Sequence, residues 1–494
     1  MSRLLLSSRH LAVIFAATIL TAMIPGCSEP KAETPDVIIL QTGRLRGNVY
    51  PRSLQNIASI QHYPYLAGYV KKVREEAEKN GARVLLVDLG DSLGGSFASH
   101  ATNGETMVEF FNELRYDAVV LGNLDNNATP ESLARLNATV LNPFAAPDGS
   151  PATRNTTFGT RLDLDGIPID LLANFYGNVS RDEYPERFPT WFGSTPEGVT
   201  PIRDYATVTS DLGERSGDTL TVLTWMKFES PTNPPSDFLK SLTDLDVDAI
   251  LAHRIYSSEQ KDKWSDRTLY DWTPPVSENI LRNNGGFTVA RLDLKRDGDS
   301  WRILNQTLLP MTANTAAADE AITSRIDAFA DQITKADRTI ADLPDPVSEE
   351  EILRACLTAL STVPGTQVAA YSRQSVRSDW PAGPLTVSRA FNSLPWTNPI
   401  VQIELSPTQL GQLGELGGMI FLRRNDAPID SNVTLTTSRF FASLIADELG
   451  LAATTIQPVA DTAEFDLLID HLSSAPQPLT FTLPSDWTLD DPRG

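Results

Sequence analysis

Cysteine is almost missing from this sequence. Its 494 residues contain two cysteines, Cys27 and Cys356. The chain beyond Cys27 can therefore form neither a disulfide framework nor a cluster of thiolate ligands for a metal. Its stability must come from packing, and an apolar content of 41% is enough to build sizeable hydrophobic cores.

Positive charge is also scarce. The chain has 41 lysines and arginines against 63 aspartates and glutamates, which gives a formal net charge of −22 and a pI of about 4.6. Such a balance argues against a nucleic-acid polymer or an anionic membrane face as the main partner. A local basic pocket remains compatible with it.

One apolar run stands out, "LAVIFAATILTAMI", which follows Arg3 and Arg9. It is too short to span a bilayer and is typical of the hydrophobic region of a secretory signal. Small residues then lead directly to Cys27, as in a bacterial lipoprotein signal, whose cysteine is lipidated after cleavage. We expect residues 1–27 to be a signal peptide and the product to be an exported, membrane-anchored lipoprotein facing the periplasm or the cell exterior. The alternative is an ordinary signal peptide in which Cys27 falls by chance.

Strand-like and helix-like segments alternate after residue 36. Short runs such as "VIILQ", "RVLLVDL" and "DAVVLG" are separated by amphipathic stretches such as "YLAGYVKKVREEAEKNG". This alternation predicts an α/β domain with a largely central sheet, whose functional loops follow the strand ends. Residues 285–309 alternate apolar and polar side chains around "RDGDS" and predict an antiparallel hairpin.

A second domain is expected after a linker. A weak helical period over residues 314–341 predicts a linker helix. Beyond it, "EEEILRACLTALS" reads as a helix, "TQVAAYS" and "IVQIELS" as strands, and the terminal segment as β-rich. The predicted organisation is a signal peptide at 1–27, a first domain at 28–312, a linker helix at 313–343 and a second domain at 344–494.

Three blocks stand at the predicted strand ends: "ILQTGRLRG" (39–47), "VDLGDSLGGS" (87–96) and "YDAVVLGNLDN" (116–126). They are similar to I-L-H-T-N-D-L-H-G, L-D-x-G-D-x-x-x-G-S and Y-D-A-x-x-L-G-N-H-E. These are blocks of the 5'-nucleotidase family of calcineurin-like metallophosphoesterases, which the chain therefore resembles. In the second domain, 372–386 and 394–401 resemble the N-G-G-G-I-R and L-P-F-x-N-x-x-V segments. The resemblance implies a calcineurin-like phosphoesterase β-sandwich flanked by helices, a linker helix and a smaller α+β 5'-nucleotidase C-terminal domain.

The resemblance also implies hydrolysis by two divalent metals, held by carboxylate, imidazole and amide ligands. The aspartate and histidine of the first block are Arg44 and Arg46 here, and a guanidinium has no lone pair for a metal. Asp91 and Asn123 are kept, but the histidine after the asparagine is Leu124. Asp91 and Asn123 are either residual metal ligands or inherited turn residues paired with the arginines, which would replace part of the metals' positive charge.

Two further blocks are altered. In the fourth, V-x-L-S-H-L-G, the histidine is replaced by Trp225. In the fifth, G-G-H-x-H, either His253 survives alone or Arg254 replaces the first histidine, depending on a one-residue gap. Asp125 and His253 are candidates for recruitment to a single metal site.

In the second domain, the resemblance implies that two aromatic rings hold a nucleoside while arginines grip its phosphate or ribose. Trp396 stands at the first stacking position, Asn398 follows two residues later, Phe440 matches the second ring and Arg377 the arginine. Arg354 is a looser candidate. The alternative is that Trp396 and Phe440 only pack the domain.

Three functions follow from these expectations. The first is a non-catalytic pseudo-phosphoesterase that binds a nucleotide or another small phosphorylated, planar ligand and needs no cofactor. The second is an active phosphoesterase with a divergent Mn, Zn, Fe or Mg site. The third is a structural envelope protein whose second domain binds a protein partner.

Overall fold

The computed structural model describes most of the chain. The described residues are 33–47, 63–122, 125, 130–145, 150–151, 155–176, 200–201, 218–227, 247–253, 280–283, 288–413, 418–427, 430–452 and 455–490. None of the helices within these ranges combines the length and the apolar character needed to cross a membrane. Cys27 and the apolar run before it lie outside the described residues, so the lipid anchor stays a prediction.

Strands dominate the N-terminal domain. They are β1 (Val37–Thr42), β2 (Arg83–Asp88), β3 (Ala118–Val120), β4 (Thr139–Leu141), β5 (Phe144–Ala145), β6 (Gly159–Leu164), β7 (Ile167–Tyr176), β8 (Thr200–Pro201), β9 (Leu220–Lys227), β10 (Ala249–His253), β11 (Ile280–Asn283), β12 (Thr288–Asp297) and β13 (Ser300–Pro310). The helices are α1 (Tyr63–Asn80), α2 (Phe97–Ala101), α3 (Glu105–Glu113) and α4 (Pro130–Leu133).

Two sheets form a sandwich. One has the strand order β13-β12-β1-β2-β3-β4 and the other β11-β10-β9-β7-β6. Strands β1 to β4 are parallel, as are β7, β9, β10 and β11. Ile39 and Leu85 of the first sheet share a buried apolar cluster with Leu171 and Val222 of the second. The predicted α/β sandwich is confirmed.

Helices α1 and α3 cover the outer face of the first sheet. Along β1, Val37 and Ile39 pack against the second sheet, whereas Ile38 and Leu40 pack in the cluster formed with the helices. Both faces of the strand are buried, which explains why its sequence is a continuous apolar run instead of an alternating one.

The predicted hairpin is confirmed. β12 and β13 pair antiparallel from Thr288 and Pro310 to the turn at Asp297 and Ser300. Gly298 in the turn has a φ of 64°, in the left-handed region that glycine adopts without steric cost.

The remaining described chain adds a second set of helices and strands. The helices are α5 (Glu320–Asp327), α6 (Ala330–Ala336), α7 (Glu349–Ser361), α8 (Val387–Ser393), α9 (Pro407–Gln412), α10 (Arg439–Glu448) and α11 (Glu464–Ser474). The strands are β14 (Thr339–Leu343), β15 (Val368–Ser372), β16 (Gly383–Thr386), β17 (Pro399–Leu405), β18 (Met419–Arg424), β19 (Val433–Ser438), β20 (Ile456–Ala463) and β21 (Trp487–Asp490).

The C-terminal domain is α+β, with a central sheet of order β20-β17-β19-β15-β18-β21. The predicted helix is α7, which starts with a capping box between Ser348 and Glu351. The predicted strands are β15 and β17. The terminal segment, expected to be β-rich, also contains the helices α10 and α11, whose buried apolar faces pack on the sheet.

The linker at 313–343 is not a single helix. Helices α5 and α6 are followed by β14, which pairs antiparallel with β16 of the C-terminal domain. Ile326 and Ile333 are buried on the two helices. Their spacing of seven residues keeps a helical period across the break, so the sequence pattern does not reveal the break.

Helix α2 joins the two domains. Phe97 and Ala98 belong to the same buried cluster as residues of α7, α8 and α11. The His100 ring stacks on Phe391 with 4.9 Å between centroids and meets Phe465 edge-on at 5.7 Å. Burial lowers the pKa of His100, against an opposing effect of the Asp466 charge. The histidine is therefore neutral at pH 7 and acts as an aromatic contact.

Candidate functional site

The candidate site lies where β1 and β2 end. The two strands are parallel neighbours, so the loops that follow them meet at one edge of the sheet. The backbone N–H of Arg44 donates to Gly90 O at 2.8 Å, and that of Arg46 donates to Asp91 O at 3.1 Å. The structure therefore places Arg44, Arg46 and Asp91 on two loops that are bonded side by side.

The second sheet reaches the same edge. Gln41 on β1 donates a side-chain hydrogen bond to Ala252 O on β10 at 2.9 Å. In the sheet register Ala252 pairs with Trp225, and His253 follows it. The backbones of Trp225 and His253 thus lie beside the site. The side chains of Trp225 and His253 lie outside the described residues. So do Asn123, Leu124 and Arg254 as a whole.

The two loops carry backbone strain. Arg44, Arg46 and Asp91 have φ angles of 53°, 53° and 54°. Residues other than glycine rarely adopt the left-handed region, and arginine is not among the types enriched there. Such strain persists only where surrounding bonds fix it, and it is concentrated at functional sites.

Both arginines carry permanent positive charge. Arg44 is 7% exposed and Arg46 is half-buried. A guanidinium stays protonated on burial and offers only N–H donors. At these two positions the site therefore suits an anion and not a cation.

Asp125 braces the loop that contains Asp91. Its carboxylate is 4% exposed and accepts four backbone hydrogen bonds. The N–H groups of Ser92 and Leu93 donate to Oδ1 at 2.9 and 2.7 Å, and those of Asp91 and Gly122 donate to Oδ2 at 3.0 and 2.5 Å. A carboxylate has about four lone-pair directions, so both oxygens are fully used.

This geometry contradicts the hypothesis that Asp125 is recruited as a metal ligand, because no lone pair remains for a cation. Burial and the charge of Asp91 raise the pKa of Asp125, while its N–H donors lower it. A sequence signal for this role exists. Asp125 stands where the third block of the resemblance has its glutamate, and that acidic position is kept although the histidine before it is Leu124.

Asp88, at the end of β2, is a site residue that the sequence did not predict. It is completely buried and accepts hydrogen bonds from the Thr42 hydroxyl at 2.7 Å, the Ser92 hydroxyl at 3.0 Å and the Gly90 N–H at 2.8 Å. Burial raises its pKa to about 6. Asp88 therefore joins the end of β1 to the loop after β2.

The residues that the structure describes at this edge do not fit the dinuclear metal site that the resemblance implies. Within the described ranges, no group of three or more histidine, cysteine, aspartate or glutamate side chains is placed to hold a metal ion. Arg44 and Arg46 have no donor lone pair, and the Asp125 oxygens are already bonded. No chemical step through a metal can be derived from this set of donors.

Gly47 closes the first loop against α2. It has a φ of 66°, and an added Cβ would lie 2.6 Å from Ser99 Cβ and 2.7 Å from Ser96 Oγ. We expect Gly47→Ala to lower the free energy of unfolding by about 1–3 kcal/mol through strain and overpacking, as measured by urea denaturation. Gly298→Ala is the matched control, since Gly298 has a similar φ of 64° but open space around it. Equal losses in both variants would show that the contact with α2 does not matter.

In the C-terminal domain, Trp396 is already engaged. Its indole N–H donates to Ser375 O at 2.8 Å, and the Arg377 guanidinium carbon lies 4.6 Å from the ring centroid. The ring centroids of Phe440 and Phe441 lie 5.1 Å apart. Trp396 and Phe440 are both partly buried against the domain core. One face of Trp396 is therefore covered by a cation, unlike the open stacking face expected from the resemblance.

Two other ligand candidates are bonded within the domain. The Asn398 side-chain amide donates to Glu464 Oε1 at 2.6 Å. Arg354 forms an ion pair of 2.6 Å with Glu350, one turn earlier on α7. Asn398 and Arg354 therefore have structural contacts that the sequence did not reveal.

Glu464 is the buried acid of this domain, and the sequence analysis missed it. It is 8% exposed and begins α11. Burial raises its pKa to about 7, although hydrogen bonds from Asn398 and Tyr371 oppose the shift. Its position within "ADTAEFDLL" carries no motif, so only the folded chain identifies it.

Comparisons with known proteins agree with the observed fold. No protein-family model matches the sequence. The uncharacterized metallophosphoesterase YunD of Bacillus subtilis is 32% identical over 78 residues, which span 15% of this chain and 17% of that protein's length. A 5'-nucleotidase precursor from Thermus thermophilus superposes with a TM-score of 0.58 at 14% identity, covering 88% of this chain and 96% of that one. The 5'-nucleotidase from Candida albicans gives 0.55 at 12% identity, covering 90% and 99%. The chain has the two-domain 5'-nucleotidase fold.

The 5'-nucleotidase fold alone does not determine a substrate. The Thermus thermophilus sulfate thiohydrolase SoxB is similar to this chain to the same degree, with a TM-score of 0.56 at 15% identity, covering 92% of this chain and 99% of that one. Different activities on one fold mean that function must be argued from the site.

Proposed function

We propose that this protein is a lipoprotein with the 5'-nucleotidase fold that binds a phosphorylated, nucleotide-like ligand without hydrolysing it. The observation that carries the proposal is the presence of Arg44 and Arg46 on bonded loops at the strand ends. There the resemblance has an aspartate and a histidine that hold metals. The neighbouring Asp125 cannot replace them because its oxygens already accept four backbone hydrogen bonds.

The chemistry of these groups favours binding over hydrolysis. Hydrolysis of a phosphate ester in this fold needs a water molecule acidified by divalent cations. A guanidinium cannot generate hydroxide at neutral pH, but it forms strong charge-assisted hydrogen bonds to phosphate oxygens. Arg44 and Arg46 would therefore hold a phosphate group and leave its ester bond intact.

Two features of the C-terminal domain favour a planar ligand. Trp396 is partly buried, so part of its indole remains exposed, and Arg377 lies against the ring. Stacking on an aromatic ring contributes about 1–3 kcal/mol per base. The proposal also includes export of the protein and its anchoring through Cys27. The ligand would then be bound outside the cytoplasm.

Purified protein tests the proposal directly. We expect substoichiometric Mn, Zn, Fe and Mg by elemental analysis, and no turnover of AMP or of a generic phosphodiester above the blank. AMP should bind in isothermal titration calorimetry, and Arg44→Gln/Arg46→Gln should weaken it roughly tenfold or more, since each charge-assisted bond contributes about 1.5–3 kcal/mol.

Arg302→Gln is the matched control, because Arg302 is an exposed hairpin residue paired with Glu33, and it should leave AMP binding unchanged. A stoichiometric metal together with turnover that disappears in Asp91→Ala would overturn the proposal in favour of an active phosphoesterase. If AMP and other planar phosphates do not bind at all, the scaffold that binds a protein partner becomes the better explanation.

A further inference from the structure

Three segments of the C-terminal domain carry its ligand candidates. Arg377 follows β15, Trp396 precedes β17, and Phe440 follows β19. These strands are neighbours in the central sheet, in the order β17-β19-β15. β15 and β19 are parallel, and β17 is antiparallel to β19. The ends of β15 and β19 and the start of β17 therefore meet at one edge of the sheet.

One side chain is hydrogen-bonded to two of these segments and faces the third. Glu464 Oε1 accepts from the Asn398 amide at 2.6 Å, two residues after Trp396. The Tyr371 hydroxyl near the end of β15 also donates to the Glu464 carboxylate. The Ser438 hydroxyl at the end of β19 faces the same carboxylate and favours its charge. Among the described residues, however, Ser438 Oγ makes no hydrogen bond within normal limits of distance and angle.

The backbone reinforces this arrangement. The Glu464 N–H donates to Asn398 O at 2.9 Å, next to the register pair of Pro399 with Ala463. Glu464 opens α11, a helix of 11 residues, where the macrodipole favours a negative charge. A small hollow is lined by Trp396, Tyr371 and Glu464 among other residues. The carboxyl thus adjoins the same space as the indole.

We propose that Glu464 is the positioning residue of the ligand pocket in the C-terminal domain, and that ionisation of its carboxyl switches the segment around Trp396 between two arrangements. The inference rests on the proposed function, since it assumes that this pocket binds a planar ligand. Ionised Glu464 accepts hydrogen bonds from the Asn398 and Tyr371 segments together. Protonated Glu464 becomes a donor at one oxygen, so one of these acceptor roles is lost.

The surroundings leave Glu464 as the titrating group. Tyr371 on β15 and Cys356 on α7 face it, and burial raises the pKa of both, so they remain neutral at physiological pH. Asp466, two residues further on α11, acts by its charge on His100. The pKa of Glu464 is about 7, so the switch falls close to neutral pH.

The test needs no ligand at first. The protein contains eight tryptophans, and 5-fluorotryptophan labelling gives each a ¹⁹F NMR signal, with Trp396 assigned by Trp396→Phe. We expect the Trp396 signal to titrate between about pH 5 and about pH 9, with a midpoint near the Glu464 pKa. Glu464→Gln should abolish this titration. Glu404→Gln, at an exposed position of β17, should leave it unchanged.

A second variant tests the same carboxyl independently, in case Glu464→Gln does not fold. Tyr371→Phe removes a donor that favours the charged carboxyl, so it should move the midpoint to higher pH. A Trp396 signal that does not titrate in the wild type, or one that titrates equally in Glu464→Gln, would overturn the proposal. An unmoved midpoint in Tyr371→Phe would do so as well.

Ligand binding is then measured with adenosine, which has no group that titrates in this range. Wild-type affinity should be roughly tenfold higher at the alkaline end of the range than at the acidic end, as for a typical coupling between two sites, and Glu464→Gln should show no such difference. If Trp396 titrates as expected but adenosine never binds, the positioning role stands and the proposed ligand is wrong. Adenosine binding that is strong at every pH in both proteins would contradict the positioning role and leave the proposed ligand in place.

Discussion

Asp125→Ala should lower the free energy of unfolding by about 4 kcal/mol or more, because four backbone N–H groups, three of them in buried hydrogen bonds, lose their acceptor and each buried loss costs about 1–3 kcal/mol. The four donors are the N–H groups of Asp91, Ser92, Leu93 and Gly122. Few single substitutions reach this size. Urea denaturation followed by circular dichroism measures the change.

Asp125→Asn separates hydrogen bonding from packing. Its amide keeps one acceptor oxygen and turns the other atom into a donor, so two of the four N–H groups lose their partner. We expect roughly half of the loss seen in Asp125→Ala. Asp297→Asn, at the exposed hairpin turn, should stay within about 0.5 kcal/mol of the wild type. If Asp125→Ala also stayed that close, the carboxylate would not be the brace of the loop.

The second large effect is expected at the domain interface. Phe391 is completely buried and lies 4.9 Å from both the His100 and Phe465 rings and 6.2 Å from Phe97. Phe391→Ala should lower the free energy of unfolding by about 3–5 kcal/mol, the usual cost of removing a buried phenylalanine. It should also weaken the coupling between the domains, because α2 loses the ring on which it packs.

Differential scanning calorimetry measures both effects. We expect the wild type to unfold in closely overlapping transitions and Phe391→Ala to show two separated ones, since the domains no longer stabilise each other. Phe481→Ala is the control, because that ring is only partly buried and its ring contact is with Trp380 of the same domain. An unchanged profile in Phe391→Ala would mean that the aromatic contact does not hold the domains together.

Much of the fold was predictable from local sequence. β1 is a continuous apolar run because both of its faces are buried, and the β12–β13 hairpin shows a period of two around Gly298. The capping box of α7 likewise joins residues close in sequence, Ser348 and Glu351, three positions apart. These features depend on neighbours in the chain, so pattern alone identifies them. The linker was less predictable because the burial of Ile326 and Ile333 continues the helical period across a break.

The site was only partly predictable. The blocks placed Arg44, Arg46 and Asp91 at neighbouring strand ends, and the hydrogen bonds between their loops agree. The roles of individual side chains were less visible. Asn398 was expected to meet a ligand, yet its amide bonds to Glu464, 66 residues away in the chain. Trp396 was a candidate for stacking on a ligand or for packing the domain, and Arg377 lies over one face of its ring.

The sequence by itself determined the fold class and the loss of donor atoms at Arg44 and Arg46, because side-chain chemistry does not depend on folding. Only the tertiary structure decided which carboxylates are available. Asp125 keeps an acidic position of the third block and Glu464 is an ordinary acid in the sequence, but folding surrounds both with donors from distant segments. The number of lone pairs still open to a ligand is set by those contacts, and no pattern of neighbouring residues encodes it.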